Sequence, residues 1–297
     1  MENASKLLSI NKLSKTYPNG VKAMDGITLE ISKGLFGLLG PNGAGKSTLL
    51  RTLATLQDPD DGSVHFMGTD VIQNPRFLRE RLGYLPQDFG VYPNMSADSL
   101  LDYLAKLKGL RVYEERCAVI ERMLDITNLK EHRHQAVSGY SGGMKQRFGI
   151  AQCLLNDPDL IIVDEPLAGL DPSERNRFLQ VIRRVAMDNV VIFSTHIVDD
   201  VKDLCDTIGI MNQGAMVAID SPKDLMKKLI GKVWSKEMNV QEWRSSDKQL
   251  KVLGSAYTGK DDILVRAYSD LEAPGDGWIL CKPNIEDAYF HALSTAK

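Results

Sequence analysis

The amino-acid sequence predicts an α/β fold with a mainly parallel sheet and flanking helices, and three observations lead to it. The apolar run Gly34–Leu39 is typical of a buried strand. A glycine-rich loop follows it, and a helical pattern over residues 46–56 comes next. Farther along, strand-like runs at 160–163 and 190–194 are separated by a helical pattern over 173–187. Strands that alternate with helices in this way usually form a parallel sheet covered by those helices.

Composition and charge narrow the classes of function. The 297 residues suit one large domain plus a smaller one, and the formal net charge of -3 provides no basic surplus for a nucleic-acid partner. The four cysteines form no C-x-x-C pair, which is typical of a reducing compartment. No apolar run approaches the roughly 20 residues needed to cross a bilayer. We therefore expect a cytoplasmic protein that does not act on nucleic acid and that depends on another chain for any membrane-spanning part.

The remaining elements of the first 220 residues are assigned from pattern. Residues 7–31 and 63–67 read as short strands of an N-terminal antiparallel subdomain, with turns at 18–20 and 25–26. Residues 97–129 have apolar side chains at three-to-four spacing, which predicts helices. Further helices are predicted from Ser141 onward and over 198–205.

The composition changes near Ser221 and Pro222, where we place a domain boundary. We expect residues 1–220 to form the main domain and 221–297 a small α+β accessory domain. The second region predicts a short helix, three short strands and a final helix that begins near Asn284. The helix covers 223–229 and the strands cover 249–253, 263–267 and 278–281.

The glycine-rich loop fits the pattern G-x-x-x-x-G-K-[ST], which binds phosphate. Its glycines let backbone N–H groups surround an anion, and the positive end of the following helix points at the same place. Lys46 is expected to reach the β- and γ-phosphates, and Ser47 to offer its hydroxyl to Mg²⁺. The residues expected to contact the nucleotide here are Gly40, Pro41, Asn42, Gly43, Ala44, Gly45, Lys46, Ser47 and Thr48.

Polar residues follow two of the predicted strands. Asp164 and Glu165 end one of them; we expect Asp164 to hold Mg²⁺ through its water shell and Glu165 to polarise the attacking water. His196 ends the other and is expected to hydrogen-bond the γ-phosphate and orient that water. The alternatives are solvated acids at a strand end and a purely structural histidine.

Several motifs together resemble those of ABC-type ATPases, in the order in which that family carries them, over residues 6–220. They comprise the phosphate loop, an aromatic residue for adenine, a Q-loop glutamine, the signature loop, the acidic pair, a D-loop and an H-loop. Beyond the phosphate loop and acidic pair, the residues are Tyr17, Gln87, Ser141-Gly142-Gly143 with Lys145-Gln146-Arg147, Gly169-Leu170-Asp171 and Ser194-Thr195-His196.

The resemblance implies a head-to-tail dimer that binds two ATP molecules with Mg²⁺. Each nucleotide would lie between the phosphate loop of one subunit and Ser141, Gly142 and Gly143 of the other, where a helix start forms a second anion site. Asp171 would lie at this interface. The partner in the dimer is either a second copy or a related ATPase.

The chain departs from the family pattern at the signature loop, where Tyr140 replaces the usual Leu and Met144 the usual Gln. Leu167 stands where threonine is more common. The serine and both glycines expected to contact phosphate are kept. We therefore expect ATPase activity to survive.

The resemblance also implies a helical subdomain over about 88–157, with Gln87 at its entrance in contact with Mg²⁺ or the attacking water. The segment 88–94 is expected to receive a short helix from the membrane partner. Four apolar residues motivate this prediction, and plain core packing is the alternative. They are Phe89, Val91, Tyr92 and Met95.

The C-terminal residues 282–290 resemble the Pro-Ser-Leu-Glu-Asp-Val-Phe type of ending in bacterial drug- and antibiotic-export ATPases, such as those for daunorubicin and bacitracin resistance. These resemblances therefore imply an ATP-hydrolysing subunit that energises export through integral-membrane subunits, at the inner face of the cell membrane. The alternatives are a non-transport ABC ATPase, an ATP-sensing regulatory subunit and a phosphate-loop kinase.

Overall fold

The computed structural model describes residues 7–90, 92–245, 250–270 and 272–295. In chain order its strands are β1 (Leu8–Thr16), β2 (Lys22–Ile31), β3 (Gly34–Leu39), β4 (Asp61–Phe66), β5 (Thr69–Asp70), β6 (Leu82–Leu85), β7 (Leu160–Asp164), β8 (Val190–Thr195), β9 (Thr207–Asn212), β10 (Ala215–Asp220), β11 (Val233–Asn239), β12 (Lys251–Tyr257), β13 (Asp262–Tyr268) and β14 (Ile279–Leu280). Its α-helices are α1 (Lys46–Leu53), α2 (Pro75–Arg79), α3 (Ala97–Leu107), α4 (Tyr113–Ile126), α5 (Gly142–Cys153), α6 (Pro172–Ala186), α7 (Pro222–Lys227), α8 (Val240–Ser245) and α9 (Ile285–Thr295).

The central sheet has the strand order β10-β9-β3-β8-β7-β6, and all of its neighbouring pairs are parallel except β9 with β10. The parallel sheet predicted from the alternation of strands and helices is therefore confirmed. The strands β3, β7 and β8 end at one edge, at Leu39, Asp164 and Thr195. Because open α/β sheets bind ligands at this edge, the topology gathers the candidate site there.

The N-terminal sheet is antiparallel, as predicted, with the order β2-β1-β4-β5. The turn predicted at 25–26 is wrong, because both residues lie inside β2. Gly26 has a φ of 62°, and the register with β1 shifts between the pairs Leu13–Ile27 and Lys15–Met24. The turn-like dipeptide thus forms a β-bulge, where glycine accommodates the positive φ.

The helical region contains α3, α4 and α5, in agreement with the predicted patterns. Two predicted helices differ from the structure. Helix α1 ends at Leu53 rather than 56, and Thr55 takes a left-handed φ of 58°. The helix predicted over 198–205 is wrong; a single 3₁₀ turn, Val198–Asp200, stands there. The strands β6, β9, β10 and β11 were not predicted.

The C-terminal residues form an antiparallel sheet of order β12-β13-β11-β14, followed by α9. Asn284 and Asp287 cap α9 reciprocally, because each backbone N–H donates to the other's side chain at 2.8 Å. Tyr289 of α9 belongs to the same buried apolar cluster as Leu35 of the central sheet. The division into two domains near residue 220 stays a prediction. Of the strand predicted over 249–253, Gln249 lies outside the described residues.

No helix within the described ranges is both long enough and apolar enough to span a membrane.

Candidate functional site

The phosphate-binding loop connects the end of β3 to the start of α1, as the sequence predicts. Gly43 and Gly45 have φ angles of 80° and 104°. A Cβ on Gly45 would lie 2.1 Å from the carbonyl oxygen of Ala23, and one on Gly40 would lie 2.3 Å from that of Met211. Side chains at Gly40 and Gly45 would collide with neighbouring backbone, and Gly43 and Gly45 take a positive φ, so the loop depends on glycine to follow this path to the start of α1.

Lys46 is buried at the first turn of α1, and its ammonium group turns back toward the loop. Its Nζ donates to the carbonyl oxygens of Gly40 at 2.8 Å and Pro41 at 3.2 Å. The same Nζ lies 3.3 Å from Oε1 of Glu165. The loop lysine and the predicted water-polarising carboxylate are thus direct neighbours.

Glu165 follows β7 with a left-handed φ of 45°, a conformation that costs free energy for a residue with a side chain. Its backbone N–H donates to the Ser194 hydroxyl at 2.9 Å, which holds the turn. Its Oε2 lies 2.9 Å from Nδ1 of His196, whose ring is part-exposed. The carboxylate of Glu165 therefore bridges Lys46 and His196, two residues from different elements.

Asp164 is buried at the end of β7 and accepts a hydrogen bond from the hydroxyl of Ser194, Oγ to Oδ1 at 2.6 Å. The sequence pattern predicts no separate role for Ser194 beyond its place before Thr195 and His196. The feature that could have indicated a role is its position: Ser194 is a polar residue that directly follows the apolar run Val190–Phe193. In the fold this one hydroxyl fixes both acidic residues of the pair.

Tyr17, predicted to stack on adenine, lies beside α1. Its hydroxyl is 3.2 Å from Oγ1 of Thr48 and donates to Oε1 of Gln57 at 3.3 Å. Gln57 in turn donates from Nε2 to the carbonyl oxygen of Thr48 at 2.9 Å. Tyr17 is thus held next to the phosphate loop helix, with its ring half-buried.

The signature segment begins α5. Ser141 is its N-cap and accepts the Met144 N–H at 3.2 Å, while Ser141 and Gly142 are exposed. Within the described residues, no hydrogen bond or ion pair joins this helix start to the phosphate loop. Tyr140, in place of the usual leucine, is buried against Phe148 with the ring centroids 6.4 Å apart. Burial raises the pKa of Tyr140 to about 12, so its ring remains neutral in the core.

Gly143 is packed tightly against α6. A Cβ at this position would lie 2.2 Å from Oε2 of Glu174. The same Oε2 accepts a hydrogen bond from buried Arg147 at 3.1 Å. Asp171 caps α6, since its Oδ1 accepts the N–H groups of Ser173 at 2.9 Å and Glu174 at 3.0 Å. The first turn of α6 therefore packs against the signature loop through Glu174.

Comparison with known proteins identifies the family. Residues 24–168 match the family model described as ABC transporter. The linearmycin resistance ATP-binding protein LnrL of Bacillus subtilis is 35% identical over 228 residues, which make up 76% of this chain and 72% of that protein. The chain belongs to the ABC transporter ATP-binding family.

Other relatives agree with this assignment. The daunorubicin/doxorubicin resistance ATP-binding protein DrrA of Streptomyces peucetius is 34% identical over 227 residues, covering 76% of this chain and 68% of DrrA. A solved structure of cbiO1 from Clostridium perfringens, part of the ABC transporter complex cbiONQ, matches with a TM-score of 0.69 at 25% identity, covering 75% of this chain and 91% of that one. This protein is thus an ATP-binding ABC-type ATPase with the fold of an ABC cassette.

The residues predicted to hold Mg²⁺ in this ABC ATPase fit that ion chemically. Mg²⁺ usually takes one or two carboxylates and fills its other positions with water and phosphate oxygens. Ser47 supplies a hydroxyl from α1, and Asp164 supplies a carboxylate from β7. The helix α1 and the strand β7 pack against each other. In the described part of the chain, no group of three or more His, Cys, Asp or Glu side chains could hold a metal ion. The donor set suits an ion that arrives with a nucleotide.

The residues predicted to receive a membrane partner divide into two groups. Phe89 and Met95 are partly buried against the main apolar cluster. Tyr92 is exposed and meets Tyr103 of α3 edge-to-face, with the ring centroids 5.8 Å apart. Val91 lies outside the described residues. Gln87 is exposed just after β6.

Proposed function

We propose that this protein is the ATP-hydrolysing subunit of an ABC exporter and that it energises transport through separate integral-membrane subunits. Two relatives are named as resistance proteins, for linearmycin and for daunorubicin and doxorubicin, and others as Nod factor export proteins. These names, together with the C-terminal residues 282–290, favour export over import.

The contact of Glu165 with both Lys46 and His196 carries the catalytic part of the proposal. Glu165 accepts a proton from the attacking water, because its carboxylate is a base held at the edge where the phosphate loop ends. His196 orients that water and the terminal phosphate by hydrogen bonding. Lys46 supplies positive charge to the oxygens that become more negative as the phosphate bond breaks.

Ser47 and Asp164 would hold Mg²⁺, and the exposed amide of Gln87 would join them from the entrance of the helical subdomain. When bound, this ion supplies positive charge to the phosphate oxygens. Tyr17 would contact adenine, and Thr48 would bind phosphate beside Ser47. The glycines of the loop would bind phosphate through their backbone N–H groups.

The exposed start of α5 supports a head-to-tail dimer. Ser141 and Gly142 present a helix N-terminus to solvent, where the backbone N–H groups and the helix dipole attract an anion. In the dimer this anion would be the terminal phosphate of ATP held by the facing subunit. Asp171 would lie at the same interface, between the two nucleotides. Both a homodimer and a heterodimer with a related ATPase satisfy this arrangement.

The membrane-spanning partners would bind at the exposed ring of Tyr92 near the entrance to the helical subdomain, about 88–157. This contact would hold the ATPase at the inner face of the cell membrane. We propose that residues 221–297 act as an accessory unit of the main domain.

The proposal is tested by ATP binding and hydrolysis with purified protein, together with co-purification from detergent extracts. Lys46→Ala should abolish tight ATP binding, whereas Lys33→Ala, at an exposed lysine before β3, should not. An integral-membrane protein should co-purify and stimulate hydrolysis. Retained affinity in Lys46→Ala would contradict the site, and co-purification of ribosomes or DNA instead of a membrane protein would contradict the transport role.

A further inference from the structure

A buried polar cluster lies directly behind His196, outside the residues assigned to nucleotide. The Thr195 hydroxyl donates to Oδ2 of Asp200 at 2.8 Å and accepts the Ile197 N–H at 3.0 Å. Oδ1 of Asp200 pairs with the guanidinium of Arg175. The side chain of Asp200 has no exposed surface, and Thr195 is 4% exposed.

A carboxylate buried in this way is stable only when charged and hydrogen-bonding partners surround it. The cluster therefore fixes the positions of its members relative to one another. Thr195 and Ile197 are the two chain neighbours of His196. The Thr195 hydroxyl binds Asp200 and also accepts the backbone N–H of Ile197, so both neighbours are held by the cluster. The backbone on each side of His196 is thus constrained, and with it the direction in which the imidazole points toward Glu165.

The same cluster reaches the start of α6. The Arg175 N–H donates to the carbonyl oxygen of Asp171 at 2.9 Å, so Arg175 lies one turn after the N-cap. The path from Asp171 to Thr195, the residue before His196, consists of one helical turn, one ion pair and one hydrogen bond. It connects the predicted dimer interface with the imidazole inside a single chain.

We propose that Asp200 is a positioning residue for ATP hydrolysis. Through Thr195 it orients the imidazole of His196, and through Arg175 it couples that orientation to the start of α6. The inference rests on the proposed role of His196 in hydrolysis. Asp200 touches neither nucleotide nor water in this role. Its removal should therefore lower kcat and leave ATP affinity unchanged.

The test compares Asp200→Asn with Asp199→Asn, because Asp199 is an exposed neighbour that pairs with surface Lys202 at 3.1 Å. Asp200→Asn should lower kcat about 10- to 100-fold, the effect of a misplaced catalytic group, with KM for ATP within about twofold. Asp199→Asn should keep the parental kcat. In a His196→Ala background, Asp200→Asn should cause no further loss, because the two residues act as one unit.

An additive loss in the double variant, or a parental kcat in folded Asp200→Asn, would overturn the inference. Should Asp200→Asn fail to fold, the variants Thr195→Val and Thr195→Ser provide the test. Thr195→Val, which lacks the hydroxyl, should lose kcat, whereas Thr195→Ser should keep most of it. Equal kcat values in the two variants would overturn the inference. A parental rate in His196→Ala would remove His196 from the proposed function and the positioning role with it. Reduced turnover in His196→Ala beside unchanged turnover in Asp200→Asn would reject the positioning role alone.

Discussion

Ser194 and Asp164 are register partners on adjacent parallel strands, and their side chains are joined by a 2.6 Å hydrogen bond from Oγ to Oδ1. The same hydroxyl accepts the N–H of Glu165, which has a left-handed φ of 45°. One buried hydroxyl thus orients the proposed Mg²⁺ ligand and holds the backbone of the proposed catalytic base.

Replacement of Ser194 by alanine should disturb both acidic residues. Buried Asp164 would lose its donor and the Glu165 N–H its acceptor, so the free energy of unfolding should fall by about 1–3 kcal/mol. ATP turnover should fall about tenfold or more, since a displacement of about 1 Å in a catalytic group costs up to about a hundredfold. Urea unfolding and steady-state ATPase assays measure the two effects. Ser255→Ala, at an exposed serine of β12, serves as the control, and equal turnover in both variants would refute the role of Ser194.

Gly142 and Gly143 are adjacent in the signature loop, yet alanine should affect them differently. At Gly143 the new Cβ would lie 2.7 Å from Cβ of Glu174, and ion pairs with Arg147 and Arg177 restrain that side chain. At Gly142 the nearest atom is Cδ2 of Leu170 at 3.7 Å, an ordinary contact.

We therefore expect Gly143→Ala to destabilise the nucleotide-free protein by about 1–3 kcal/mol. Gly142→Ala should be neutral or slightly stabilising, because alanine favours helix. Thermal unfolding of both variants side by side measures the difference. Equal Tm values would show that Glu174 does not pack against the loop as described.

His291 of α9 packs against Tyr268, with the ring centroids 4.4 Å apart and the ring planes tilted by 46°. Burial of the imidazole, followed by the nearby charge of Lys251, lowers the pKa of His291 below its ordinary value of 6.5. The positive charge of Lys232 acts in the same direction and Asp270 opposes it. The folded state therefore binds a proton at His291 less readily than the unfolded state does.

This difference in proton affinity predicts how stability changes with pH. The contribution of His291 is fully present above pH 6.5 and is lost as the pH falls below that value toward and through the lowered pKa. His291→Gln should therefore cost more free energy of unfolding at about pH 8 than at about pH 5. Urea unfolding at both pH values measures this, with exposed His134→Gln as the comparison. A cost that grows toward low pH would reverse the sign and contradict the burial argument.

The sequence predicted that Lys46, Glu165 and His196 lie at one edge of the sheet. Glu165 and His196 directly follow the carboxyl ends of two parallel strands, and Lys46 follows the glycine-rich loop after a third. The role of Ser194 could not be predicted in the same way. It depends on β7 lying next to β8 in register, and that pairing is a property of the whole sheet.

The wrong helix at 198–205 has a related cause. Its apolar spacing fits a helix, but Asp200 turns inward to Arg175 and Thr195, which lie in other elements. Those partners outweigh local propensity and leave only a 3₁₀ turn. Asp25 and Gly26 do bend the backbone locally, as the sequence pattern indicates. Because β2 pairs with β1 on both sides of them, the bend is a β-bulge within the strand and not a turn.

The central claim is that Glu165 activates water for hydrolysis of an ATP molecule held between two subunits. It is tested most directly by Glu165→Gln, which keeps the shape of the side chain and removes its basicity. Size-exclusion chromatography with Mg²⁺-ATP, coupled to a single-turnover hydrolysis assay, should show a persistent dimer and a hydrolysis rate reduced by at least about a hundredfold. A variant that hydrolyses ATP at the parental rate, or that remains monomeric with ATP bound, would contradict the claim.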